Sequence, residues 1–152
     1  KSNFFIIYNM NNGSLSHELL NALENETNNS IMDLTSGKIN EYKNNVLQKL
    51  QLERKYLKTM HKKLKSYRYV RDMNDLEYGY YIRWIPLKNP EKVNLTNGGI
   101  IISIEIINDQ IQIRCKNNMN RIFQIKFDEC VIFQKITDQE KVILGILDYL
   151  DK

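Results

Sequence analysis

The spacing of hydrophobic positions changes once along the chain, from a helical period in the first half to an alternating one in the second. The longest helical signal starts near Lys38 and runs to Val70, a stretch free of proline and glycine. Its apolar positions are Ile39, Val46, Leu50, Leu57, Met60, Leu64 and Tyr67. Leu50, Leu57 and Leu64 recur every seven residues, with Val46, Met60 and Tyr67 at partner positions, a heptad seam interrupted by Lys43 and Glu53. Asp33, Thr35 or Ser36 supplies the N-cap. At about 1.5 Å per residue this helix is a rod of roughly 50 Å, which outreaches a small domain. It therefore needs a second helix, a second copy or another partner along its seam.

Ahead of the rod, Asn3–Tyr8 reads as a short apolar strand or strap and Asn9–Ser16 as a turn cluster. Ser16 caps a short helix reaching about Asn25, with Leu19, Leu20 and Leu23 on its apolar face. Glu26–Ser30 is a polar linker.

From Tyr78 the alternation begins. Strands are expected at Tyr78–Ile85, Ile100–Ile107, Gln110–Lys116, Arg121–Phe127 and Cys130–Gln134. A long loop from Pro86 to Gly99 holds the turn signal Asn97-Gly98-Gly99, while Asn108-Asp109 and Asn117–Asn120 make short hairpin turns. Thr137 and Glu140 form a capping box that opens a last helix, Asp138 to about Leu150, with Val142, Ile143, Ile146, Leu147 and Leu150 on its apolar face. Five short antiparallel strands most readily close into a small barrel. The expected fold is thus α+β: a long heptad-like helix, a five-stranded SH3-like or OB-like antiparallel β-barrel, and a C-terminal capping helix. The expected divisions are 1–35 for the N-terminal strand, short helix and linker, 36–71 for the basic amphipathic helix, and 76–152 for the barrel with its last helix.

Composition adds a bias and a cluster. Asparagine, isoleucine and lysine fill 55 of 152 positions, and all three have A/T-rich codons. The mixture of 42% hydrophobic and 26% charged residues is that of a globular protein, not a collagen-like, disulfide-scaffold or transmembrane one. Phe4-Phe5-Ile6-Ile7 is far shorter than the ~20 residues needed to cross a bilayer. Two cysteines, Cys115 and Cys130, are too few to staple a secreted scaffold, and the chain opens with no signal-peptide pattern, so a reducing intracellular setting is expected.

The net charge of +4 is unevenly held: residues 54–71 carry eight Lys/Arg and no acid. Within them Lys55, Lys58, Lys62 and Lys65 are spaced as one helical stripe, widened by Arg54, His61, Arg68 and Arg71. Regular cations along a rod suit a phosphate backbone, because each neutralised phosphate releases counterions. Tyr56, Tyr67 and Tyr69 interleave with them and offer stacking surfaces. The plainer reading is a solvated helix face. A second candidate is the first strand, where Tyr81 and Arg83 share a face opposite the core-facing Tyr80, Ile82 and Trp84.

Catalytic signatures are missing. His17 and His61 have no neighbouring cysteine, the cysteines lack zinc-type spacing, and no P-loop, GxGxxG or GxSxG occurs. The pairs Asp72/Asp75 and Asp128/Glu129 read as junction and turn residues, not as a cation site. Neither a cofactor nor a metal is expected.

Two stretches, Tyr67–Ile85 and Arg121–Glu140, resemble short proteins of the giant nucleocytoplasmic large DNA viruses in phrase and order. The resemblance spans about residues 40–150. It implies a viral source and expression in the host cytoplasm or viral factory, with packaging in the virion a further option, and it brings no functional residues with it. The expected function is a non-enzymatic binding or assembly module, with the barrel as docking domain. Its nucleic-acid contacts are Arg54, Lys55, Lys58, Lys62, Lys65, Arg68 and Arg71, without sequence specificity. The alternative is a virion or scaffold protein that pairs with a protein partner or its own copy through Val46, Leu50, Leu57, Met60 and Leu64. An enzyme of unknown type is the third reading.

Overall fold

The computed structural model describes residues 17–151. The strand expected at Asn3–Tyr8 and the turn and cap expected at Asn9–Ser16 lie outside the described residues. The helices are α1 (His17–Glu24), α2 (Ser36–Gln48), α3 (Arg54–Lys63) and α4 (Asp138–Leu150). The strands are β1 (Tyr67–Tyr69), β2 (Tyr81–Pro86), β3 (Gly99–Ile107), β4 (Gln110–Lys116), β5 (Ile122–Lys126) and β6 (Cys130–Lys135). They belong to two compact units, Lys1–Ile39 with Ile136–Lys152, and Asn40–Lys135.

The described residues of the first unit are mainly helical. Its core joins Ile143, Leu144 and Leu147 of α4 to Ala22, Ile31, Ile39 and Ile136, so Leu144 is buried where Val142 was expected. The capping box is present: the Glu140 amide donates to Thr137 Oγ1 at 3.1 Å, and the Thr137 amide to Glu140 Oε1 at 3.0 Å. Thr35 caps α2, its Oγ1 accepting from the Lys38 amide at 3.2 Å. The Asp148 carboxylate adds to that helix start by accepting from the Ser36 amide at 2.8 Å and the Ser36 hydroxyl at 2.6 Å. The stretch expected as a polar linker is instead a 3-10 helix, Glu26–Ile31. Buried Asn28 holds it by donating to the Ala22 carbonyl at 2.7 Å and to Gln139 Oε1 at 3.2 Å.

The second unit is built on one antiparallel sheet in the order β1-β6-β2-β3-β4-β5. Three expectations fail here. The single long helix is broken into α2 and α3, the sheet has six strands and not five, and it stays open instead of closing into an SH3-like or OB-like barrel.

The helix breaks at Lys49–Glu53. Leu50 and Gln51 close tight turns onto Leu47 and Gln48, and Gln51 adopts a left-handed φ of 53°. No breaker residue forces this. The cause is burial: Leu47 from α2 and Met60 and Leu64 from the α3 side share one core with Tyr67, Ile85, Val131 and Phe133. A straight rod cannot bring both halves to that core, and helical stability in proteins comes mostly from packing an apolar face. The sixth strand is the end of the expected rod, Tyr67-Arg-Tyr, whose aromatic residues suit a pleated surface. It pairs with β6, Tyr67 opposite Lys135 and Tyr69 opposite Phe133.

Alternation along β2 and β6 gives the sheet two apolar faces. Ile85, Val131 and Phe133 meet the α2–α3 hairpin. Ile82, Trp84 and Ile132 face a second core with Val70, Leu76, Ile101, Ile113 and Cys115. Around that core the sheet curls strongly. Trp84 on β2 and Phe123 on β5 meet edge to face at 6.2 Å, although two strands lie between them in the sheet order. In a flat sheet those strands would be roughly 14 Å apart.

Gln134 ties the β1–β2 connection to the sheet. It is fully buried, donates through Nε2 to the Asp75 carbonyl at 2.9 Å, and accepts at Oε1 from the Glu77 amide at 3.1 Å. Gln134→Leu leaves both backbone groups without this partner, so stability is expected to fall by about 2–4 kcal/mol in urea unfolding. A loss below about 0.5 kcal/mol, the range of surface substitutions, contradicts that role.

Candidate nucleic-acid interface

The α3 helix has one apolar side. Met60 is buried, Leu57 is half-buried, and Leu64, just past the last turn, is fully buried against the sheet. This fixes the rotation of the helix and turns its cations outward. Arg54, Lys55, Lys58 and Lys62 are exposed, as is Lys65 in the following turn; Lys63, outside the expected contact set, is exposed on the same helix. Lys55 and Lys62 stand about 10 Å apart along the axis, with Lys58 between them. The described ion pairs are Arg68–Asp75, Lys88–Glu129, Lys126–Glu129 and Lys141–Asp138, none of which involves these six cations. His61, Lys62 and Lys63 lie in the last turn of α3, where positive charge is favourable next to the free carbonyls. Tyr56 lies on the same helix and is 58% exposed.

The other expected contacts separate from this patch. Arg68 is only 2% exposed; it lies opposite Gln134 in the β1–β6 register, with Nη1 4.0 Å from the Asp75 carboxylate and Nη2 3.4 Å from the Asp75 carbonyl. It belongs to the core and is removed from the contact set. Arg71 is exposed, but its guanidinium sits 4.0 Å over the Tyr42 ring. Tyr67 is buried and Tyr69 packs on Phe133 at 6.1 Å, so neither offers a stacking face.

The expected ligand face of the first strand is covered by the chain itself. Tyr81 donates its hydroxyl to the Asn97 carbonyl at 2.7 Å, and Arg83 Nε donates to the Thr96 carbonyl at 2.8 Å. Gly98 lets this loop lie down: it has a φ of +87°, and a Cβ there would collide with the Ile82 carbonyl oxygen. The heptad seam is likewise used internally. Met60 and Leu64 are buried in the sheet-facing core, and Val46, Leu50 and Leu57 pack against it half-buried.

Sequence reasoning missed Lys43, visible only as a cation on an apolar stripe. It is 5% exposed, and its Nζ donates to the carbonyls of Leu64 at 2.9 Å and Tyr67 at 3.0 Å. Burial pulls the ammonium pKa below its ordinary 10.5. The His61 pKa is lowered too, first by burial and then by the Lys43 charge. The folded chain therefore holds the Lys43 proton less tightly than the unfolded chain does. The cost of the buried charge is full below the folded pKa, and stability rises with pH from there toward 10.5. Burial pushes Cys115 up to about 12 and Cys130 up to about 11, so their contribution is present below the ordinary 9.0 and is lost as pH climbs through those values. Comparing wild type with Lys43→Met cancels the thiols. The expected result is that wild type gains on the variant as pH rises toward 10.5 in urea unfolding; a constant gap contradicts the shifted lysine.

Beside the N-terminus of α3 lies a groove of about 410 Å³, lined by Leu50, Leu52, Glu53, Tyr56 and Val93 among others. Among the described residues no three His, Cys, Asp or Glu side chains gather as a metal site. None of the described helices is long and apolar enough to cross a membrane. No known family model, curated protein or solved structure matches this chain.

Proposed function

We propose that this chain is a non-enzymatic binding module that holds a nucleic-acid backbone on the exposed face of α3, without reading its sequence. The observation that carries the reading is the set Arg54, Lys55, Lys58, Lys62, Lys63 and Lys65. All six are exposed, and none appears in a described ion pair. Their helix is anchored through Met60 and Leu64, so the array is presented on a fixed support. Phosphate contacts of this kind set affinity and position, while specificity needs base contacts. Tyr56 adds a stacking surface beside the cations, which favours single strands or frayed ends. A setting of viral nucleic acid in the host cytoplasm or viral factory belongs to this proposal on the resemblance of Tyr67–Ile85 and Arg121–Glu140 alone.

The test is fluorescence anisotropy with a labelled random-sequence oligonucleotide, single-stranded and duplex, at about 50 mM salt. Saturable binding of both forms, competed by heparin, supports the reading. Absence of binding to either form at that salt overturns it.

A further inference from the structure

A second surface, independent of α3, lies at the far edge of the sheet. β5 is the last strand in the order, paired on one side with β4 from Gln112 opposite Lys126 to Lys116 opposite Ile122. Among the described residues no backbone hydrogen bond reaches its other side. Edge strands are normally protected by lysines along the edge, proline, a bulge or inward charge, because their free amides and carbonyls template another strand; β5 has one lysine, Lys126, at its last position. β5 contains no proline, and the irregularity in this sheet falls in β3, between Ile101 and Ser103. Its side chains remain available on both faces: Ile122 is 50% exposed on the outer face, and Phe123 is 37% exposed on the inner face in spite of its contact with Trp84.

The charge around this edge is positive. Lys126 lies on the outer face of β5, with Arg114 and Lys116 on the same face of β4, opposite Gln124 and Ile122. Arg121 stands exposed where β5 begins. The nearby carboxylates are Asp128, exposed in the turn that follows β5, Glu129, 4.0 Å from Lys126 and shared with Lys88, and Glu105, opposite Gln112. We infer that β5 accepts an extended peptide as a seventh strand, one that alternates acidic and apolar residues. Its acidic side chains lie on the outer face beside Lys116 and Lys126, and its apolar ones beside Phe123 and Ile125. Main-chain hydrogen bonds supply the affinity, and the alternate side chains supply the selection. A second copy of this chain is a poor occupant, since β5 against β5 gathers Arg114, Lys116, Arg121 and Lys126 of both copies along one seam.

The test uses the full chain and a fluorescein-labelled peptide of alternating glutamate and valine. Saturable binding is expected, at least tenfold weaker for a peptide with lysine in place of glutamate and for one with a central proline. Lys116→Glu with Lys126→Glu, checked for folding by circular dichroism, is expected to weaken binding at least tenfold, and Ile122→Thr serves as a milder second variant. Reversal of Lys55, Lys58 and Lys62 to glutamate is expected to leave it unchanged, which separates this site from the α3 face. Bound peptide is expected to slow amide hydrogen exchange in residues 122–126. The inference is overturned by absent binding, by binding that follows the α3 charges, by equal binding of the lysine peptide, or by sedimentation showing a dimer that buries β5.

Discussion

Reversing Lys55, Lys58 and Lys62 to glutamate is expected to cut affinity for a random oligonucleotide by about 100- to 1,000-fold at about 50 mM salt. Each phosphate contact contributes about tenfold at that salt through counterion release, and this variant removes three of them. The fold is expected to survive, because all three side chains are exposed and α3 is held by Met60 and Leu64 on its opposite side. Neutral glutamines at the same positions are expected to lose less than the glutamates, since they remove attraction without adding repulsion. Anisotropy titrations of the three proteins check this order. Equal affinity for all three would place the binding elsewhere.

The second large effect is structural. Phe133 is fully buried and packs with Leu47, Met60, Leu64 and Tyr69, the residues that fasten the α2–α3 hairpin to the sheet. Phe133→Ala is expected to cost about 3–5 kcal/mol, from lost transfer energy and the cavity left behind. For a chain of this size that lowers Tm by roughly 10 °C. Trp84, the single tryptophan, is buried in the same unit and reports its unfolding by fluorescence. Val142→Ala, at a half-exposed position of α4, is expected to change stability by no more than about 0.5 kcal/mol. A Phe133→Ala loss as small as that would mean the hairpin is not held by this core.

The legible parts of the fold were those that local chemistry determines. The β3–β4–β5 meander follows from alternation, broken in β3 by the register shift between Ile101 and Ser103 that leaves Ile102 and Ile106 exposed, and from turn residues that tolerate left-handed backbone: Asn108, Asp109 and Asn120 have φ of 52°, 61° and 62°. Asn117 explains part of the asparagine excess, its side chain accepting from the amides of Met119 at 3.0 Å and Arg121 at 2.9 Å. The last helix was legible because Thr137 and Glu140 satisfy its free amides reciprocally.

What local chemistry does not determine was misread. Lys49–Glu53 contains no glycine or proline, and its turn exists because two helices share one sheet face. The same error carried Arg68 onto a helix surface. With β1 starting at Tyr67, strand alternation replaces helical rotation, and Arg68 points to the Gln134 side of the sheet. Closure into a barrel was a matter of strand count and curvature, and β1 adds an edge that periodicity over three residues cannot announce. Lys55, Lys58 and Lys62 are exposed because their spacing alone sets them away from Met60 and Leu64.

The most direct measurement is the dependence of oligonucleotide affinity on salt. Six exposed cations on and just after α3, engaging about four to six phosphates, give a slope of log K against log salt of roughly −3 to −5. Affinity is then expected to fall about 60- to 1,000-fold between about 50 and about 200 mM salt. An affinity that stays constant across that range contradicts a phosphate backbone held by α3.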